Sequence, residues 1–399
     1  MNIIDSILSE APSLAAIRRD LHAHPELSFE ERRTSDVVAA RLAEWGIPVH
    51  RGLGRTGVVG ILRHGSSTRA VGLRADMDAL PIQEINRFSH ASRHEGRMHA
   101  CGHDGHTAML LAAAQHLART RCFDGTVYLI FQPAEEGGGG AREMMRDGLF
   151  EQFPMDAVFG MHNWPGAPVG RFAVSAGPVM ASANEFRITI RGKGSHAALP
   201  HNGVDPVPIA CEMVQAFQTI ITRNRRPLDP GVISVTMIHA GEATNVVPES
   251  CELQGTVRTF STELLDLVER RMRQVAEHVS AAHEASCTFE FTRSYPPTVN
   301  SPAEAELARQ VMTSIVGPEN VDTQEPTMGA EDFAFMLQAK PGAYCFISNG
   351  DGEHRASGHG EGPCALHNPS YDFNDELIPL GATYWVKLAE AWLAPQVRG

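Results

Sequence analysis

Residues 126–132, Thr-Val-Tyr-Leu-Ile-Phe-Gln, form a β-rich run with no alternation of apolar and polar positions, and a helical pattern at 107–119 precedes it. A strand that is apolar on both sides must be covered on both sides, which an antiparallel sheet with one wet face cannot provide. Residues 157–161 have the same character, and strand-like runs at 57–63 and 70–74 come earlier. Val37, Val38, Leu42 and Trp45 recur at helical spacing and stop at Gly46, a residue suited to the left-handed position after a helix. Helices between unalternated strands predict an α/β chain built on a mostly parallel, two-sided sheet.

Residues of one chemical kind follow these runs. Asp76 and Asp78, Glu135 and Glu136, and His162 are each expected just past the C-terminal end of a strand. Ligands of open α/β sheets bind at that edge. Of these, Glu135, Glu136 and His162, with Cys101-Gly102-His103 and Leu366-His367-Asn368-Pro369, offer thiolate, imidazole and carboxylate, the donor set of a borderline-soft divalent metal. The chain therefore reads as a metalloenzyme.

From about residue 182 the texture changes. Residues 185–191 alternate as a half-buried strand, 205–223 read as a helix, 232–238 and 251–258 as strands, 263–282 as a helix and 288–293 as a last strand before the breakers Pro296-Pro297. The order β-α-β-β-α-β is that of a split βαβ unit. His367 lies beyond this unit and the other candidate ligands before it, so it reads as an insertion: residues 1–181 and 296–399 form one discontinuous catalytic domain around an α+β domain at 182–295.

Composition narrows the function classes. A net charge of -13 without a block of five like charges steers away from nucleic acid and anionic membranes. No 18 apolar residues run together, and the first twenty residues lack a basic stretch followed by an apolar one, so neither a membrane span nor an export signal is expected. Seven cysteines without a Cys-x-x-Cys pair argue against a disulfide framework and for a reducing cytoplasm.

Taken singly, each motif has a plainer reading. Cys101-x-His103 is also compatible with a buried thiol and a helix-capping histidine, Glu135-Glu136 with a solvated acidic turn, and His162 or His367 with a hydrogen-bonded structural imidazole. Adjacent carboxylates at a strand end point in different directions, so one can bind metal while the other takes a proton from water and returns it to a leaving amine. His99 and His106 are expected in supporting or packing roles, His22 and His24 in structural ones. His354 and His359, in the Gly-rich loop 348–362, are expected on a mobile wall of the cleft.

Further motifs carry a resemblance: Arg19-x-Leu21-His22-x-His24-Pro25-Glu26-Leu27, Arg74-Ala75-Asp76-Met77-Asp78-Ala79-Leu80-Pro81, Gly194-Ser195-His196, Asn245-Val246-Val247-Pro248, Gly255-Thr256-Val257-Arg258 and Gly329-Ala330-Glu331-Asp332-Phe333. With the ligand stretches, in order from about residue 15 to 375, they resemble the N-acyl-amino-acid amidohydrolases. That group is the hippurate hydrolase branch of the aminoacylase and carboxypeptidase metallopeptidases, which also holds indoleacetyl-amino acid hydrolases.

The resemblance implies a dinuclear metallohydrolase domain with an inserted dimerisation domain. It implies that Cys101, His103, Glu136, His162 and His367 hold two divalent ions, Zn, Mn, Co or Ni, with Cys101 as the bridge and Glu135 as general base and acid. His196 would stabilise the oxyanion in a partner subunit's site, of a homodimer or homotetramer, and Asn245 and Arg258 would bind the substrate. His196 could instead cap the following helix, Asn245 could be a turn residue, and Arg258 a surface cation. The wider family has His-x-Asp where this chain has Arg74-Ala75-Asp76, leaving Asp76 without an adjacent ligand to orient. The expected reaction is hydrolysis of a small N-acyl amino acid to a carboxylic acid and a free amino acid, with Trp164 and Phe333 as candidates for an apolar acyl pocket. The alternatives are a dipeptidase or carboxypeptidase on the same scaffold, and a non-catalytic metal-binding protein.

Overall fold

A computed structural model describes residues 1–355 and 358–394 as two compact units. The first comprises residues 1–179, 299–325 and 332 onward; the second comprises 180–298 and 326–331.

The first unit is built on an eight-stranded sheet in the order Val49–Leu53, Gly57–His64, Gly125–Gln132, Ala70–Asp76, Ala157–Trp164, Gly342–Ser348, Phe172–Ala173, Val321–Asp322. Its four middle strands, from Gly125–Gln132 to Gly342–Ser348, are mutually parallel and almost wholly buried. This is the two-sided burial their unalternated sequences require. The 57–63 run departs from a parallel arrangement, because Gly57–His64 pairs antiparallel with both its neighbours. Only a few residues separate it from Val49–Leu53, too few for the crossover a parallel pair needs.

Helices His103–Thr120 and Leu377–Trp392 pack together in this unit's core. Ala112, Ala113 and Ala114 keep one helix slim, and Gly381 lets the other approach so closely that a Cβ there would overlap the Met109 sulfur. The first of these helices starts four residues before the periodic pattern at 107–119. Gly102, at φ 89°, turns the chain in the left-handed region, so that His103 already lies in the first helical turn.

The second unit is an antiparallel four-stranded sheet, ordered Gly231–Ala240, Ser250–Thr259, Ala183–Arg191, Ser286–Tyr295, with helices Pro206–Thr219 and Thr262–Ala282 packed on it. Phe186, Ile188 and Ile190 alternate inward against Leu253, Met213, Phe217 and Met272, each fully buried aliphatic side chain stabilising by roughly 1.5–3 kcal/mol. The helix expected over 205–223 ends at Thr219 and continues as a π-turn, Ile220–Asn224.

Candidate metal centre

The Ala157–Trp164 strand runs three residues past the expected end, since His162, Asn163 and Trp164 stay paired with Phe346, Ile347 and Ser348. His162 is therefore an inward-facing strand residue and does not follow the strand. Its Nδ1–H donates to the Asn163 carbonyl at 2.5 Å, which leaves the Nε2 lone pair facing the Cys101 sulfur at 3.3 Å. Burial, with His106 beside it, holds His162 well below the usual imidazole range, so the ring is neutral and able to act as a ligand.

His103 is oriented the same way by a different partner. Its Nδ1 lies 3.2 Å from Asp78 Oδ1, and its buried Nε2 has no hydrogen-bond partner among the described residues. Burial pushes this imidazole down, but the carboxylates of Asp76 and Asp78 outweigh it and lift His103 to about 10. Asp78 also accepts the backbone N–H groups of Glu135 (3.0 Å) and Glu136 (2.9 Å) and the Ser28 hydroxyl (2.9 Å). One carboxylate thus fixes a histidine and the two-glutamate turn together. Glu31 supports the same turn from behind, its Oε1 accepting Ala134 N–H at 2.9 Å where Ala134 sits at φ 53°.

His367 is a second non-glycine residue at positive φ, 61°, with its N–H on the Ala100 carbonyl at 2.8 Å and its Nε2 3.1 Å from Glu136 Oε1. Cys101, His103 and His162 place ligand atoms within 4.8 Å of one another, and so do Cys101, Glu136 and His367. A third such group, His103, Glu135 and Glu136, brings in the other glutamate. The two groups that contain Cys101 share its sulfur. Burial, followed by Glu136, Glu135 and Asp76, pushes that thiol well above its ordinary value, so a thiolate needs a cation beside it. Imidazoles, a carboxylate and a sulfur enclosed by negative charge, with Nε2 of His103 buried and without a hydrogen bond among the described residues, fit a divalent metal pair, whose charge would replace the proton that the carboxylates hold on His103.

Although Arg74-Ala75-Asp76 leaves Asp76 no adjacent ligand, the carboxylate meets histidines distant in sequence. Its Oδ1 lies 2.6 Å from His106 Nδ1 and its Oδ2 3.8 Å from His103 Nε2. Arg74, fully buried, pairs with Asp76 at 2.7 Å and Asp332 at 3.0 Å. Sequence reasoning assigned Asp78 no role: two aspartates after a strand were legible, but not which would reach His103.

Other expectations change as well. Phe333 is 0% exposed against Tyr344 and Gly160, a core residue and no pocket wall, whereas Trp164 is 37% exposed with its ring 6.2 Å from that of His162. In the described part of loop 348–362, His359 pairs with Asp372 at 3.0 Å, and Gly360 N–H reaches Asn86 at 2.9 Å. Ala356 and Ser357 lie outside the described residues. His99 is buried, and both its ring nitrogens lack hydrogen-bond partners among the described residues. His24 bonds the Asp20 carbonyl at 2.8 Å. His22 sits in a buried ionic group, 2.9 Å from Asp104 and 3.2 Å from Glu84, which also holds Arg18.

The second unit carries the remaining candidates. His196 is exposed and pairs across a short ladder with Val246, and its Nδ1 accepts Ala198 N–H at 3.0 Å, leaving Nε2–H as the outward donor. It does not cap the next long helix, whose N-terminus is held by Asp205 on Val207 N–H at 2.9 Å. Asn245 receives Ala197 N–H on its carbonyl at 3.0 Å. Arg258, half-buried on the Ser250–Thr259 strand, has no hydrogen bond or ion pair among the described residues, and burial lowers its pKa against a smaller opposing effect of Glu185.

Comparison with known proteins places this geometry. The profile of Peptidase family M20/M25/M40 matches residues 72–391. A hippurate hydrolase from Campylobacter jejuni is 39% identical over 394 residues, covering 98% of this chain and 100% of that protein. Thermostable carboxypeptidase 2 from Saccharolobus solfataricus is 39% identical over 95% of this chain and 93% of its own length. Among solved structures, a Bacillus subtilis protein described as a dinuclear metal binding peptidase superposes with a TM-score of 0.83 at 33% identity, covering 96% of this chain and 99% of that one.

Proposed function

Because the chain belongs to the Peptidase family M20/M25/M40, we propose that Cys101, His103, Glu136, His162 and His367 hold two divalent ions and that Glu135 is the catalytic base and acid. The chain is a metal-dependent amidohydrolase that hydrolyses N-acyl amino acids to a carboxylic acid and a free amino acid. The observation that carries the assignment of ligands is the single sulfur common to two ligand groups, with a further carboxylate at their edge. The ions would polarise the scissile carbonyl and acidify the attacking water. Glu135 accepts that water's proton and delivers it to the departing amine. His196 donates Nε2–H to the oxyanion across a homodimer, the half-buried guanidinium of Arg258 grips the free α-carboxylate, and Asn245 also binds the substrate.

The mixed sulfur, nitrogen and oxygen donor set suits Zn, Mn, Co or Ni. Residence in the cytoplasm is part of the same reading, supported by seven cysteines that are all free. No helix of the described residues is long and apolar enough to cross a membrane.

The carboxypeptidase relative gives a second reading some support, since a dipeptide differs from an N-acyl amino acid mainly by a free amino group. A panel of benzoyl-glycine, acetyl-amino acids and dipeptides, with and without chelator, separates the two. Acylated substrates should turn over faster, and chelator should abolish the activity; faster hydrolysis of free dipeptides would overturn the acylase reading. Glu135→Gln should keep its metal while turnover falls about 10²- to 10⁴-fold. Near-normal kcat at full metal content would remove Glu135 from the mechanism. Mixing His196→Ala and Glu135→Gln chains should restore activity in mixed dimers, and no recovery would place His196 in its own subunit's reaction.

A further inference from the structure

Behind the candidate ligands runs a buried chain of hydrogen bonds in which every donor and acceptor is assigned. Arg74 Nη1 donates to Asp76 Oδ2 at 2.7 Å, leaving Oδ1 for His106 Nδ1 at 2.6 Å. His106 Nε2 receives the backbone N–H of Asn163 at 3.0 Å. A backbone N–H can only donate, so Nε2 is the unprotonated nitrogen and Nδ1 carries the proton toward Asp76. The Asn163 side chain is equally determined: its Nδ2 donates to the Cys101 carbonyl at 2.7 Å and also reaches the unprotonated His106 Nε2 at 3.0 Å, and its Oδ1 accepts the Tyr371 hydroxyl at 2.6 Å.

We propose that Asp76, His106 and Asn163, braced by Tyr371, are positioning residues that fix the peptide of Cys101 and so aim its sulfur at the metal pair. The inference rests on the reading of Cys101 as a ligand and adds what holds it. The chain of bonds joins three separated parts of the first unit: the end of the Ala70–Asp76 strand, the His103–Thr120 helix and the His162 strand. At Gly102, which opens that helix, a Cβ would overlap both the Asn163 amide and the Tyr371 hydroxyl. Pinning the Cys101 carbonyl sets the direction of its Cα–Cβ bond. The Nδ1–H form of His106 is the only neutral tautomer that serves both ends.

Asp76→Asn tests this at constant size. Arg74 claims the amide oxygen of the new side chain, whose NH₂ then faces His106 Nδ1. The ring must carry its proton on Nε2, against the N–H of Asn163. Wild type, Asp76→Asn, Tyr371→Phe and Cys101→Ser are to be loaded with Co(II). The near-ultraviolet thiolate-to-Co(II) absorption and the Co(II) Kd, by chelator competition, are then read. Asp76→Asn should bind Co(II) about 10- to 100-fold more weakly with a reduced thiolate band, and Tyr371→Phe should shift both in the same direction by less.

Unchanged Kd and band in folded Asp76→Asn would overturn the proposal. If that variant does not fold, unchanged values in Tyr371→Phe would overturn it instead. No thiolate band in wild type, or a band that survives in Cys101→Ser, would refute the assignment of Cys101 itself, an outcome distinct from failure of the positioning residues.

Discussion

Glu31→Gln should make the metal-free protein more stable at neutral pH, and the size of the gain should depend on pH in a defined window. The Glu31 side chain is 0% exposed; Oε1 accepts the N–H groups of Phe29 and Ala134 at 2.9 Å each, and Oε2 accepts the Thr56 hydroxyl at 2.6 Å. Burial first, and the charge of Asp78 second, raise its carboxyl from 4.5 to about 7, against those hydrogen bonds. A shift of that size corresponds to roughly 3 kcal/mol of opposition to ionisation.

Between pH 4.5 and 7 the folded chain keeps a proton that the unfolded chain has released. Glu31's contribution is therefore complete below 4.5 and is lost as pH rises through 7. Glutamine keeps an oxygen for the two N–H groups and offers an amide N–H to the Thr56 oxygen, with no charge to lose. Urea unfolding of both chains at pH 4.5, 6 and 8 should show the difference, variant minus wild type, growing by up to about 3 kcal/mol and then levelling. A difference that stays constant across the series would refute the reasoning.

Two other substitutions address neighbouring features. Gly102→Ala combines a strained positive φ, about 1–2 kcal/mol, with overlap of Asn163 and Tyr371, so both the melting temperature and the metal content should fall; wild-type values of both would show that the turn is more tolerant than its geometry. His22→Leu leaves Glu84 and Asp104 without their shared imidazolium and should cost about 3–5 kcal/mol near pH 6. Against its burial, Asp104 and Glu84 lift His22 to about 10, so its contribution is full below 6.5 and lost as pH rises through 10. The cost should shrink over that range, and a cost equal at pH 6 and pH 10 would contradict the ionic account.

That the candidate ligands would come together was legible in the sequence, because they follow unalternated strands, which announce a two-sided sheet whose ends collect ligands. The split βαβ order of the second unit was legible for a similar reason, since alternation in 185–191 and the breakers at Pro296-Pro297 are local signals. What escaped were choices made by tertiary contact. Pairing with the Gly342–Ser348 strand, nearly two hundred residues later, carries the His162 strand to Trp164. Asp76 and Asp78 look alike in sequence, and only the packing of the His103–Thr120 helix decides that one takes His106 and the other His103. His22 and His24 have ligand-like spacing, yet the partners that make His22 ionic are 62 and 82 residues away. Phe333 sits beside a motif, but its ring belongs to the core.

The buried Arg18 pairs with Asp372 and Asp375, and Ile4 N–H bonds the Thr383 hydroxyl. These partners lie 354 to 379 residues apart along the chain. Arg18, which also pairs with Asp104 at 3.4 Å, therefore gains its remaining carboxylates late, while most of the second unit, residues 180–298, is contiguous and can condense as it is made. The large loop closed by Arg18 and Asp375 adds little entropy per added residue, so the delay is one of order rather than of stability. Chains cut short before residue 372 should hold a folded second unit beside a first unit still open at both termini.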